Sequence, residues 1–153
     1  MPNEIPTNRG DETRSQLLET GLRLFAINGY ESVSTRQLTK ESGTNIAAIN
    51  YHFNGKNGLY RAVLEQIVLD TDRYFWAGLE KLQKNIVAAS GDRQQLAEAI
   101  TKIIANLFQI FLQDEFMRWR APLVMREYGN PSENFDILYK GRIEPLHKVV
   151  TLI

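Results

Sequence analysis

Three dipeptides cut the first part of this 153-residue chain into pieces: Asn28-Gly29, Ser42-Gly43 and Asn54-Gly55. Glycine takes the left-handed conformation that ends a helix at little cost, so each pair is a stop. Start signals follow the stops. Ser34 has Gln37 three residues on, the spacing of a capping box, and Asn45 can cap whatever follows it. What remains between start and stop is about 34–42 and about 45–53, two helices of roughly two turns each. Two short helices joined by a few residues around a glycine, here Gly43, form a helix-turn-helix unit. A helix precedes them. Thr13 and Gln16 have capping-box spacing, and Leu18, Leu22 and Phe25 mark one face. Residues 1–12, with two prolines and a glycine, read as a flexible arm.

Beyond Gly55 the segments lengthen. Leu59, Tyr60, Val63, Leu64, Ile67, Val68, Tyr74, Phe75, Leu79 and Leu82 sustain a helical stripe for about seven turns, until Ser90-Gly91. Asp92 with Gln95 opens another helix, with Leu96, Ile100, Ile103, Leu107 and Phe111 inward. A shorter one lies near Phe116 to Tyr128, with Pro122 as a point of division. Gly129-Asn130-Pro131 is a break, and Ser132 starts a last segment through Phe135, Leu138, Tyr139, Ile143 and Leu146. Pro145 cannot donate to the carbonyl of Gly141, which predicts a bend. No strand alternation or internal repeat is present. The expected fold is all-α: a three-helix domain over 13–58, then a helical bundle over 59–153. The closing "HKVVTLI" stops inside an apolar pattern without a cap, so the native polypeptide is expected to continue and the bundle to be incomplete.

Composition narrows the function. With 43% hydrophobic residues the chain can bury a core, while a formal net charge of zero lends nothing to nucleic-acid binding. Cysteine is absent, which excludes disulfides and cysteine-metal sites. No apolar run approaches the ~18–20 residues of a membrane span, and the N-terminus lacks the apolar core of a signal peptide, so the expectation is a soluble cytoplasmic protein. His52 and His147 are the only histidines, and His147 sits late on an apolar helix as a structural residue. There is no paired-carboxylate motif, phosphate loop or His-Glu-x-x-His, so neither an enzyme nor a cofactor or metal is expected.

Local charge runs differently. No acid occurs from Ser42 through Leu64, whereas Lys56 and Arg61 do. At ~100° per residue Ile49 and Phe53 fall together with Ile46 nearby, Tyr51, Ala47 and Ala48 lie opposite, and Asn45, Asn50 and His52 flank. Small side chains let a helix lie close to DNA, alanine can pack on a thymine methyl, and asparagine can read adenine in a bidentate manner. The same Ala-Tyr face fits a partner helix, which makes a helical protein-interaction module the rival reading. Salt separates them, because phosphate contacts release counterions and apolar docking does not.

The run "TRSQLLETGLRLFAINGYESVSTRQLTKESGTNIAAINYHFNGKNGLYRAVL" resembles the DNA-binding domain of TetR/AcrR-type transcriptional regulators. It carries Phe25, Gly29-Tyr30, Thr35, Gly43, then "YHF" with Lys56 and Leu59 after it. The resemblance implies phosphate contacts from Thr35, Tyr51, His52 and Lys56, and a base-facing stretch of Asn45, Ile46, Ala47, Ala48 and Asn50. Two positions depart from the pattern: Asn50 stands where many members carry tyrosine, and Ile46, which by angle also fits the core, where a polar or basic residue is frequent. The segment "FMRWRAPLVMREYGNPSENFDILYKGRIEPLHKVVTLI" is loosely similar to the branch with a CerR-type C-terminal domain. The family implies a homodimer on a palindromic operator, a repressor, and a small-molecule effector in the C-terminal bundle. Phe75, Phe108, Phe111 and Trp119 are the candidate pocket, although aromatics at helical spacing more often build a core. Arg118, Arg120 and Arg126-Glu127 fit either an anionic ligand or a solvated face.

Overall fold

The glycines stand at the breaks. In the computed structural model, which describes residues 9–89, 92–113 and 117–151, every regular element is helical. Helix α1 spans Arg9–Asn28, α2 Thr35–Ser42, α3 Ile46–Phe53 and α4 Lys56–Ala89. Gly29, Gly43 and Gly55 all have positive φ, as does Asn54 at the end of α3. The caps predicted for α2 and α3 form. The Gln37 amide donates to Ser34 Oγ at 3.1 Å, and the Ala48 amide to Asn45 Oδ1 at 2.9 Å.

One start differs from the sequence reading. Residues 9–12 are the first turn of α1, not part of an arm, and Asp11 and Glu12 there complement the helix dipole. Thr13 lies inside the helix. Its hydroxyl donates to the Arg9 carbonyl at 3.0 Å, the back-bond a helical threonine makes instead of a cap. Residues 1–8 lie outside the described residues.

The chain divides into two compact units, between Val63 and Leu64. The first extends past residue 58 because the start of α4 completes its core. Leu59, Tyr60 and Val63 are buried with Leu17, Leu24, Phe25, Val33, Leu38, Ile49 and Phe53. Phe25 meets Tyr60 edge-on at 4.9 Å, and Tyr30 lies 4.8 Å from Tyr60. Gly58 lets two helices come together. A Cβ there would fall 1.6 Å from the Phe53 carbonyl oxygen, so only glycine permits α4 to begin so close to the end of α3.

In the second unit α5 spans Arg93–Gln113, α6 Met117–Gly129, α7 Phe135–Leu138 and α8 Glu144–Val150. Asp92 caps α5 as predicted, accepting from the Gln94 and Gln95 amides at 2.8 and 3.3 Å, and the amide bonds hold its carboxyl below the usual range. Leu82, Ile86 and Val149 form a small core with Leu79 and Leu96 packed on it. Ile100, expected inward, is exposed, being on the outer side of α5; the side chains of Ile103, Leu107 and Phe111 lie outside the described residues. Pro122 does not divide α6, which runs through it with the ring on the exposed side.

Where a bend was expected at Pro145, the helix changes its winding. A π-helical turn, Tyr139–Ile143, precedes α8. Pro145 leaves the Gly141 carbonyl without its helical donor, and Arg142 Nη1 donates to that oxygen instead, at 2.6 Å. Arg142 also pairs with Asp72 at 2.9 Å, donates to Thr71 Oγ1 at 2.6 Å and to the Val68 carbonyl, and covers the Phe75 ring. Gly141 permits this approach, since a Cβ there would lie 2.9 Å from Val68 Cγ1.

Candidate nucleic-acid interface

Helix α3 presents a mixed face because its core contacts use only one side. Ile49 is fully buried and Phe53 nearly so. The exposed side carries Ile46, Ala47, Asn50 and Tyr51, with Ala48 and His52 half-buried at its margin. Tyr51 is 85% exposed and Ile46 51%. Ile46 therefore belongs to the outer face and not to the core, because it sits in the first turn of α3, ahead of the packed ridge of Ile49 and Phe53. Tyr51 stands edge-on to His52 at 4.9 Å.

Asn45 has a divided role. Its Oδ1 accepts from the Ala48 amide, which occupies one of the oxygen's two lone pairs and holds the side chain at the start of α3. Asn50 is exposed on the face itself, and its amide is the one suited to base edges.

Thr35 opens α2, half-buried, one residue after the Ser34 cap. The same helix exposes Arg36 and Lys40 four residues apart, beside a shallow depression lined by Ser34, Gln37 and Glu41. These two cations were missed by the sequence reading, although their i, i+4 spacing opposite Leu38 was visible. Glu41 is turned away from the role of a repelling anion by Arg23, whose Nη2 meets it at 2.7 Å. That bond, and a second from Gln37, hold the Glu41 carboxyl below its usual range.

Lys56 lies differently from the outward ammonium that a phosphate contact calls for. Its Nζ donates to the Tyr30 and Val33 carbonyls, both at 3.0 Å, and sits 4.1 Å from the Tyr30 ring centroid.

The four candidate pocket residues are not brought together by any described contact. Phe75 lies edge-on to Trp76 at 5.2 Å, and Trp119 is half-buried under the Arg118 guanidinium at 4.9 Å. The side chains of Phe108 and Phe111 lie outside the described residues. The basic cluster around Trp119 is neither wholly a solvated face nor an open anion site. Arg120 pairs with Asp70 at 2.6 Å, and Glu127 is buried, accepting from the Ser132 amide and hydroxyl at 3.2 and 3.0 Å. Among the described residues no His, Asp and Glu side chains gather as metal ligands, and no helix is long and apolar enough to cross a membrane.

A capped two-turn helix laid across another through a left-handed glycine, its outer face uncharged and its flanks basic, defines a helix-turn-helix module. Residues 17–63 match the family of bacterial regulatory proteins of the tetR type. Residues 96–153 match the C-terminal domain of the HTH-type transcriptional dual regulator CecR, where a CerR-type domain was expected. The CecR protein of Shigella flexneri is 27% identical over 151 residues, 99% of this chain and 67% of that protein. A probable HTH-type transcriptional regulator, YttP of Bacillus subtilis (strain 168), is 29% identical over 93 residues, 61% of this chain and 42% of its own length. A crystal structure of a HlyIIR mutant protein with an alanine-substituted segment shares the fold, with a TM-score of 0.55 at 18% identity, covering 94% of this chain and 75% of that one. Over residues 17–63 the chain is thus similar to the tetR-type helix-turn-helix regulators, and over nearly its whole length to the regulator CecR.

Proposed function

We propose that this protein is a sequence-specific DNA-binding transcriptional regulator that reads an operator with α3. The observation that carries the reading is the outer face of α3. Ile46, Ala47, Asn50 and Tyr51 present methyls, an amide and a phenol, with no acid from Ser42 through Leu64. A short helix so composed can seat in a major groove without repelling phosphate. In this reading Asn50, Ala47, Ala48 and Ile46 face bases, and the remaining amide N–H of Asn45 reaches a base edge. Thr35, Tyr51 and His52 bond phosphates and set the register, and Arg36 and Lys40 add to the positive field. Phosphate bonding by a neutral phenol and hydroxyl accounts for DNA binding by a chain of zero net charge.

The finer reading is a cytoplasmic homodimer that represses from a palindromic site and responds to a small molecule held in the C-terminal bundle near Phe75, Phe108, Phe111 and Trp119. A ligand shifts the regulator only if it binds two states with different affinity. The relative CecR is named a dual regulator, which favours activation at some operators as the second reading.

The test is selection of the protein on a random-duplex pool, followed by a salt titration on the winner. A recovered palindrome with a steep salt slope supports the proposal. A flat slope returns α3 to the role of a protein-docking face. Within that assay Asn50→Ala should lose roughly 1–3 kcal/mol on the selected site and relax preference at one base position, while Tyr51→Phe should weaken all duplexes alike. Unchanged base preference in Asn50→Ala would remove that residue from the reading face.

A further inference from the structure

Lys56 is the first residue of α4, where a cation meets the positive end of the helix dipole. The side chain resolves this by turning toward the preceding loop. An ammonium has three N–H donors. Two of them reach the Tyr30 and Val33 carbonyls at 3.0 Å each, and the Tyr30 ring face, at 4.1 Å, attracts the remaining charge. Val33 is buried and stands immediately before Ser34, the cap of α2. The grip therefore fixes the residue from which α2 sets out, and with it Thr35, Arg36 and Lys40.

We infer that Lys56 is a positioning residue. It holds the Tyr30–Val33 loop so that the N-terminal end of α2 meets a DNA phosphate, and it touches no phosphate itself. The inference rests on the DNA-binding reading above and assigns one of its residues a different task.

The experiment uses the whole chain and the duplex that wild type enriches from the random pool. Lys56→Met keeps the apolar stem and removes the ammonium. Affinity should fall roughly tenfold, the scale of a lost charge-assisted bond. The slope of log K against log salt should stay at the wild-type value, whereas loss of a phosphate contact would lower it by about 0.9. If Lys56 acts through α2, its substitution should cost much less in a Thr35→Ala background than in wild type. A reduced slope, or independent losses from the two substitutions, would overturn the inference. Should Lys56→Met fail to fold, the wild-type ammonium decides. A ¹H–¹⁵N signal from Lys56 Nζ, protected by its two carbonyls, should be visible without DNA and unshifted with it. An absent signal, or one that moves on adding duplex, sinks the idea. Wild type that binds no duplex ends the regulator reading itself and this inference with it, which separates the two failures.

Discussion

Each of the two compact units has its own internal polar ties, and these differ in reach. In the first, the devices that start α2 and α3 act within three residues, Ser34 on Gln37 and Asn45 on Ala48. In the second, the polar ties that fix α6 and the π turn on α4 join residues far apart in sequence: Arg120 with Asp70, 50 positions away, and Arg142 with Asp72, 70 away. Local devices are written as adjacent letters. Long-range ties are not, because nothing in the letters around Arg142 says which acid it will meet. Lys56 follows the same rule inside the first unit. Its carbonyl partners lie 26 and 23 residues upstream, and nothing in the letters beside it names them.

This difference explains what could be read in advance. The helix-turn-helix, its glycine turn, the caps and the buried pair Ile49 and Phe53 were legible, since each follows from spacing. The side of Ile46 was not, because a 100° wheel gives a direction but not how far the neighbouring helix reaches over the first turn. Thr13 was misread for a related reason. Capping-box spacing marks a helix start only where the backbone before it is not already helical, and residues 9–12 are. Pro145 marked a disturbance of the helix in advance but not its form as a π turn, nor that Arg142 would bond the Gly141 carbonyl.

The comparison can be broken most severely at Gly58. A methyl there would overlap the Phe53 carbonyl, which is backbone and cannot rotate aside. Gly58→Ala should cost more than the ~1–3 kcal/mol of ordinary overpacking and unfold the first unit at room temperature in mild urea. A near-wild-type melt would mean that α4 can start elsewhere without loss. Next comes a matched pair on one helix. Ile49→Ala should cost about 2–5 kcal/mol, because the side chain is fully buried, whereas Ile46→Ala, at a position 51% exposed, should change stability by less than about 0.5 kcal/mol while altering base preference. Equal losses in the two would put Ile46 back in the core.

Arg142→Met probes the long-range side. The guanidinium is 12% exposed but Asp72 is 42% exposed, so water takes over part of the lost partnership. The expected cost is about 2–3 kcal/mol, below the ~3–5 of a fully buried pair. Hydrogen exchange should quicken from Phe135 to Val150 and around Val68 to Asp72, and stay at the wild-type rate across α1 to α3. If the first unit also exchanged faster, the ties of the second could not be treated as its own.

Arg23 and Glu41 test whether reach in sequence or access to water sets the worth of such a tie. They are 18 residues apart and join α1 to α2, so the bond is long-range like that of Arg142, yet both side chains are about a third exposed. The Arg23 bond, then that from Gln37, lowers the Glu41 carboxyl from its ordinary value. A lowered folded-state value means that the ionised form is favoured by folding. Its contribution is therefore complete above the unfolded value of about 4.3 and is lost as pH falls through the folded value beneath it. Glu41→Gln should accordingly cost a small, constant amount of stability between pH 6 and 8 (taken as roughly the plateau region), and the gap to wild type should close under acid. Salt should shrink the gap as well, since an exposed pair is screened. A cost as large as that of Arg142→Met would show that spanning two helices matters more than exclusion of water. A small one would assign the strength of the second unit's ties to the shelter around Arg142, which is a property of packing and therefore absent from the letters.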